Sequence, residues 1–95
     1  MRILSIEMST SLGSIALLDN DQLVASYSWE EERYNREHLF NSLEDMGIDW
    51  DSIDHYLVGR GPGSFSGMRF AFSVANSLAA PSKTSVIAHN SGSAL

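Results

Sequence analysis

The apolar positions follow a strand period first and then a helix period. From Arg2 to Met8, the residues Ile3, Leu4, Ile6 and Met8 make a nearly continuous apolar run, as expected of a central strand covered on both faces. Ser14 to Leu18 is a second such run, and Leu23 to Trp29 alternates more plainly between apolar and polar residues. The short connections Ser9-Thr10-Ser11-Leu12-Gly13 and Asp19-Asn20-Asp21-Gln22 hold turn-forming residues, so the three strands are predicted to form an antiparallel meander.

A helix is predicted next. The run Glu30-Glu31-Glu32 reads as a solvated loop, Asn35 is a good N-cap, Tyr34 and Leu39 sit at staple spacing, and Gly47 is a natural residue to follow the helix end. Between these limits Leu39, Phe40, Leu43 and Met46 form one narrow apolar stripe, which describes a short surface helix with one buried face. Asp49 to Asp54 reads as a turn anchored by Trp50, and His55 to Val58 as a strand. A second helix, from about Ser66 to Ala80, has a different character. Phe70, Val74, Leu78, Ala71, Ala75, Met68, Ala79 and Phe72 cover an arc of roughly 200° at about 100° per residue. That is more apolar surface than one sheet can cover, so either the first helix or a partner chain packs against the excess. Thr84 to Ala88 is a last strand, and His89 to Leu95 resembles the cap of another helix.

Candidate chemistry concentrates where the fourth strand meets the second helix. Gly59-Arg60-Gly61-Pro62-Gly63-Ser64-Phe65-Ser66-Gly67-Met68-Arg69 combines four glycines, a fixed proline dihedral and a serine, Ser64 or Ser66, placed to cap the helix. The unpaired first amides of that helix would suit an anion or a carbonyl. The spacing matches neither G-x-x-x-x-G-K-[ST] nor G-x-G-x-x-G, so the segment reads equally as a structural turn or a binding loop.

Composition removes several function classes. A chain of 95 residues makes one domain, and the absence of cysteine excludes disulfides and thiolate metal sites. No apolar run approaches the roughly 18 residues of a membrane span, and the first residues are too short an apolar run for a signal peptide, so a cytoplasmic location is the default expectation. The formal charge is −6, and eleven of the twelve carboxylates lie between Asp19 and Asp54, opposed there only by Arg33 and Arg36. Such a face repels nucleic acid, so direct contact with nucleic acid is not expected.

The succession β-β-β-α-β-α-β, with right-handed crossovers through both helices, predicts an α/β fold with a mixed five-stranded sheet. It resembles the ribonuclease-H-like lobe of actins, sugar kinases and heat-shock ATPases (the ASKHA class). More specifically, Arg2-Ile3-Leu4-Ser5-Ile6-Glu7-Met8-Ser9-Thr10, Gly13-Ser14-Ile15-Ala16-Leu17-Leu18-Asp19, Arg36-Glu37-His38 and above all Gly59 to Arg69 resemble the TsaB family. These are the glycoprotease-like proteins of tRNA threonylcarbamoyladenosine biosynthesis. The resemblance spans residues 1–95 as a single N-terminal lobe, without the second lobe of such proteins.

The resemblance implies a noncatalytic scaffold that pairs with a TsaD-like catalytic subunit, or with its own copy, through the two helices. The implied contact residues are Leu39, Phe40, Leu43, Phe72, Ala75, Asn76 and Ala79. It implies a candidate nucleotide or anion loop at Glu7, Ser9, Thr10, Gly61, Gly63, Ser64, Ser66, Gly67 and Arg69. ATP or ADP with magnesium is expected only in a two-lobed or partnered form. Glu7 and Met8 replace the usual aspartate and threonine of the family, which weakens a magnesium or phosphate role. No catalytic residue and no metal site are expected: catalytic relatives carry His-x-x-x-His on the first helix, whereas here Ser42 follows His38 by four residues. Protease activity is not expected. The alternatives are a self-associating ASKHA-type domain without enzymatic role, or a fragment of an ATP-dependent transferase or kinase of the same fold.

Overall fold

The order of turns and strands fixes how the sheet grows. In the computed structural model, which describes residues 1–8, 12–30, 37–59 and 65–89, the strands are β1 (Arg2–Glu7), β2 (Leu12–Asp19), β3 (Gln22–Glu30), β4 (His55–Gly59) and β5 (Ser85–His89). The helices are α1 (Glu37–Met46) and α2 (Phe65–Ala79), with single 3-10 turns at Trp50–Ser52 and Ala80–Ser82. The β2–β3 hairpin closes through Asn20 and Asp21, both at positive φ (52° and 68°), the left-handed pair that a twisted two-residue turn requires. Gly47, at φ 60°, follows α1 and donates its N–H to the Glu44 carbonyl at 3.1 Å, as its helix-ending role predicts.

The five strands lie in the order β3-β2-β1-β4-β5. β1 pairs antiparallel with β2 and parallel with β4, and β5 continues the parallel part. The chain steps in one direction across the sheet through both helical connections, so a common right hand puts both helices on the same face. On that face Leu4, Ile6, Met8, Ile15, Leu17, Tyr56 and Val58 meet Leu39 and Leu43 of α1 and Ala71, Val74, Ala75 and Ala79 of α2 in one buried cluster. Trp50 packs against its margin, as its anchoring role predicted.

Three expectations change. β1 is covered by helices on one face only among the described residues: Ile3, Ser5 and Glu7, on the other, are half-buried. α2 begins at Phe65, so Ser66 lies inside its first turn and is not its cap, while Ser64 lies outside the described residues. Within the α1 stripe Phe40 is 51% exposed, because Leu39 and Leu43 fill the contact with the sheet. The expected Asn35 cap with its Tyr34 staple, and the helix cap after His89, also fall outside the described residues.

Arg2 closes the opposite edge of the sheet, where β1 starts. Its backbone N–H donates to Asp54 Oδ2 at 2.7 Å and its carbonyl accepts from the Asp54 N–H at 2.8 Å. Its guanidinium donates to Ser52 Oγ at 3.2 Å and lies 3.5 Å from Asp19. These contacts fix the entry of β4 beside β1, and so set where the carboxyl ends of the two strands come together.

Candidate functional site

In an open sheet with parallel strands, ligands bind beyond the carboxyl ends of the strands where the chain turns to opposite sides. Here that point lies between β1, which continues toward β2 on one side, and β4 on the other. The register pairs Ile6 with Val58, so the last residues of the two strands, Glu7 and Gly59, are neighbours. Gly59 in turn pairs with His89 of β5. A Cβ at Gly59 would fall 1.5 Å from Glu7 Oε2, so the carboxylate occupies the space that a side chain on β4 would fill. Only glycine permits that approach.

The loop residues expected at this edge divide into two groups. Ser9, Thr10, Gly61, Gly63 and Ser64 lie outside the described residues. Gly67 is buried in the first turns of α2, and Arg69 is exposed on the same helix. Among the described residues no group of three histidines, cysteines or carboxylates is placed to hold a metal ion. Glu7, at the end of β1, is the carboxylate that the described part of this edge offers.

The histidines are placed by packing. His38, in the first turn of α1, stacks on the Trp29 ring of β3 with centroids 6.4 Å apart and planes inclined by 28°. Trp29 also lies over Gly13, where a Cβ would come within 2.4 Å of the indole nitrogen. The stack pins the start of α1 to the sheet and turns His38 toward an aromatic face. His55 is half-buried on β4 with its Nδ1 enclosed and unpaired. Tyr56 is fully buried with an unpaired hydroxyl, and burial pushes its phenol above the ordinary value of 10.0.

The second candidate surface is the outer side of the helical layer. Phe40 and Phe70 meet edge to face across α1 and α2, with ring centroids 5.8 Å apart. Beside this contact a groove of about 270 Å³ is lined by Phe40, Leu43, Phe70, Ser73, Val74, Ser77 and Leu78. The excess apolar surface of α2 is thus shared between the contact with α1 and an open groove.

The expected partner contacts do not form one surface. Leu39, Leu43, Ala75 and Ala79 belong to the chain's own core, because the sheet beneath them is wide enough to cover them. Phe40 and Asn76 are exposed and Phe72 is half-buried. At about 100° per residue, Phe72 and Asn76 are centred about 110° around α2 from Phe70, Ser73 and Ser77, which line the groove beside α1. Phe70, Ser73 and Ser77 line the groove, and their spacing of three and four residues is the sequence signal of a shared helix face.

Comparisons with known proteins agree with this architecture. The family model described as TsaD, tRNA N6-adenosine threonylcarbamoyltransferase, matches residues 37–95. The chain is 34% identical over 83 residues to the tRNA threonylcarbamoyladenosine biosynthesis protein TsaB of Escherichia coli (strain K12), a match that takes in 83% of this chain and 36% of that protein. Among solved structures, YeaZ from Pseudomonas aeruginosa superposes with a TM-score of 0.81 at 29% identity, over 94% of this chain and 43% of the other. A second P. aeruginosa protein, described as similar to peptidase YEAZ, gives 0.79 at 29% identity over the same shares. Thermus thermophilus RuvC, at 9% identity and a TM-score of 0.59 over 95% of this chain and 64% of its own, shares the fold alone. The fold is ribonuclease-H-like, and the chain spans less than half the length of its TsaB-type relatives.

Proposed function

Because the chain belongs to the family described as TsaD, tRNA N6-adenosine threonylcarbamoyltransferase, and is similar to the N-terminal lobe of TsaB, we propose that it is a noncatalytic partner lobe in tRNA threonylcarbamoyladenosine modification. It docks a TsaD-like catalytic subunit against its helical layer. The observation that carries this reading is the apolar groove between α1 and α2, walled at one end by the exposed Phe40 ring and its contact with Phe70. An aromatic side chain beside a concave apolar strip is the kind of anchor on which interfaces concentrate their binding free energy. Ser73 and Ser77, one turn apart on one wall, give the groove a polar rim and leave room for a second helix to approach.

The rest of the molecule supports a scaffold over a catalyst. His38 has Ser42 where a metal-binding pair would need a second imidazole, and its ring is engaged with Trp29. A nucleotide with magnesium would require donors beyond Glu7, so its binding belongs to a two-lobed or partnered form. The acidic surface argues against direct contact with tRNA, leaving that role to the partner.

The test is light scattering of the purified chain, alone and mixed with a TsaD-type subunit, for wild type and Phe40→Glu. Phe40 is exposed, so the variant keeps the core, while a desolvated carboxylate in the groove costs several kcal/mol. The expected result is a complex with wild type that the variant weakens at least 100-fold. No complex with wild type, or equal complexes with both proteins, would refute the reading. A lone-chain dimer broken by Phe40→Glu would assign the groove to self-association.

A further inference from the structure

The two outer strands of the sheet are protected in different ways. β5 is five residues long and follows Lys83 closely, and shortness and a nearby lysine are common defences of a sheet edge. β3 has nine residues, pairs with β2 on one side and has no strand on its other side among the described residues. From Gln22 to Ser28 it contains no charge and no proline. Leu23, Val24 and Tyr27 are exposed at 61, 54 and 36%. A register shift opposite Leu17 and Leu18 leaves Val24 without a paired residue on β2, and on either side of it alternate backbone N–H and C=O groups point away from β2, the template that another extended chain can join.

Charge guards this edge at its two ends. Asp21 in the hairpin turn and Glu30 at the end of the strand are both exposed, and Glu31 and Glu32 follow in sequence. Asp19 is already engaged with Arg2. A parallel copy in register would set Glu30 against Glu30, acid against acid, which opposes that pairing. The same ends attract a chain of opposite charge.

We propose that β3 is a docking edge for an extended segment of another protein, uncharged and strand-forming over about seven residues and basic at both ends. Main-chain hydrogen bonds to Gln22–Ser28 hold the segment, and its terminal lysines or arginines meet Asp21 and Glu30, about 30 Å apart at roughly 3.3 Å per residue. The edge lies beyond α1 from the α1–α2 groove, so both surfaces can be occupied together and each reading fails or stands separately.

The probe is a nine-residue peptide of alternating valine and threonine with lysine at each end, compared with the same peptide ended by glutamate. Each is titrated into the isotope-labelled chain and followed by amide shifts. The expected result is a set of shifts running along Gln22 to Ser28, with the lysine-ended peptide binding at least ten-fold tighter and the difference collapsing in 1 M salt, where the screening length is about 3 Å. Methylating the peptide nitrogens that face β3 abolishes binding, and methylating the alternate set does not. Shifts that miss β3, equal binding of the two peptides, or no shifts at millimolar peptide would overturn the proposal.

Discussion

The closest approach between strand and ring in the hairpin gives a sharp test of how α1 is held. Gly13 pairs directly with Trp29 across β2 and β3, and the indole lies flat over the glycine. A Cβ there would sit 2.4 Å from Nε1, 2.5 Å from Cε2 and 2.7 Å from Cζ2. Ordinary carbon contacts begin near 3.5 Å, so Gly13→Ala must drive the ring back by about 1 Å. His38 stacks on that ring with centroids 6.4 Å apart, so moving the indole disturbs its contact with α1. Overpacking of this kind costs about 1–3 kcal/mol, and the lost stack adds about 0.5–1.5 kcal/mol. The smaller unfolded-state entropy of alanine returns about 0.4–1 kcal/mol. The expected net loss is about 2 kcal/mol, which for a domain of this size lowers Tm by about 8–16 °C. Thermal and urea denaturation read the loss, tryptophan emission reads the ring, and the same substitution in a Trp29→Ala background isolates the clash. There the methyl has room and the penalty vanishes. A cost below about 0.5 kcal/mol, or an equal cost in both backgrounds, would refute the argument.

Other substitutions separate core from surface. Leu39→Ala removes a fully buried side chain and is expected to cost about 2–5 kcal/mol, whereas Phe40→Ala, one residue on and half exposed, costs about 1 kcal/mol or less; urea midpoints decide between them. Tyr56→Phe deletes a buried hydroxyl with no partner, so stability at neutral pH is expected to hold or rise by about 1 kcal/mol. In wild type the unfolded chain ionises its tyrosines from about pH 10 while burial holds Tyr56 neutral. The Tyr56 contribution is therefore full below pH 10 and falls by up to about 1.4 kcal/mol per unit as pH rises toward its folded value. Tyr56→Phe flattens that alkaline slope, which denaturation at pH 9 to 11 measures. Gly59→Ala is expected to displace the Glu7 carboxylate, the flexible end of its side chain; Glu7→Ala then relieves the cost, and a cost unchanged in that background would show that the clash lies elsewhere.

The elements were legible because their signals are local. Turn residues at Asn20-Asp21 and Gly47 select their backbone conformations whatever surrounds them, and apolar alternation places strands within a residue or two of where they lie. Chain order with one crossover hand then fixed a mixed sheet of five strands. The width of the buried strip on each helix was less legible. Period defines the centre of a helix's apolar stripe, but the neighbouring elements decide how wide a strip is covered. Leu39 and Ala75 went inside while Phe40, on the same predicted stripe, stayed at the surface.

The sequence by itself determined the order of the elements, their approximate extents and the acidic balance of the chain, since each depends on residues close together along it. Tertiary structure decided what depends on distant residues meeting. It set both helices on one sheet face, laid Trp29 over Gly13 and against His38, placed Glu7 in the space left by Gly59, and opened the α1–α2 groove between Phe40 and Phe70. Those contacts follow from strand register and from the spacing between helices, quantities that exist only once the sheet has closed.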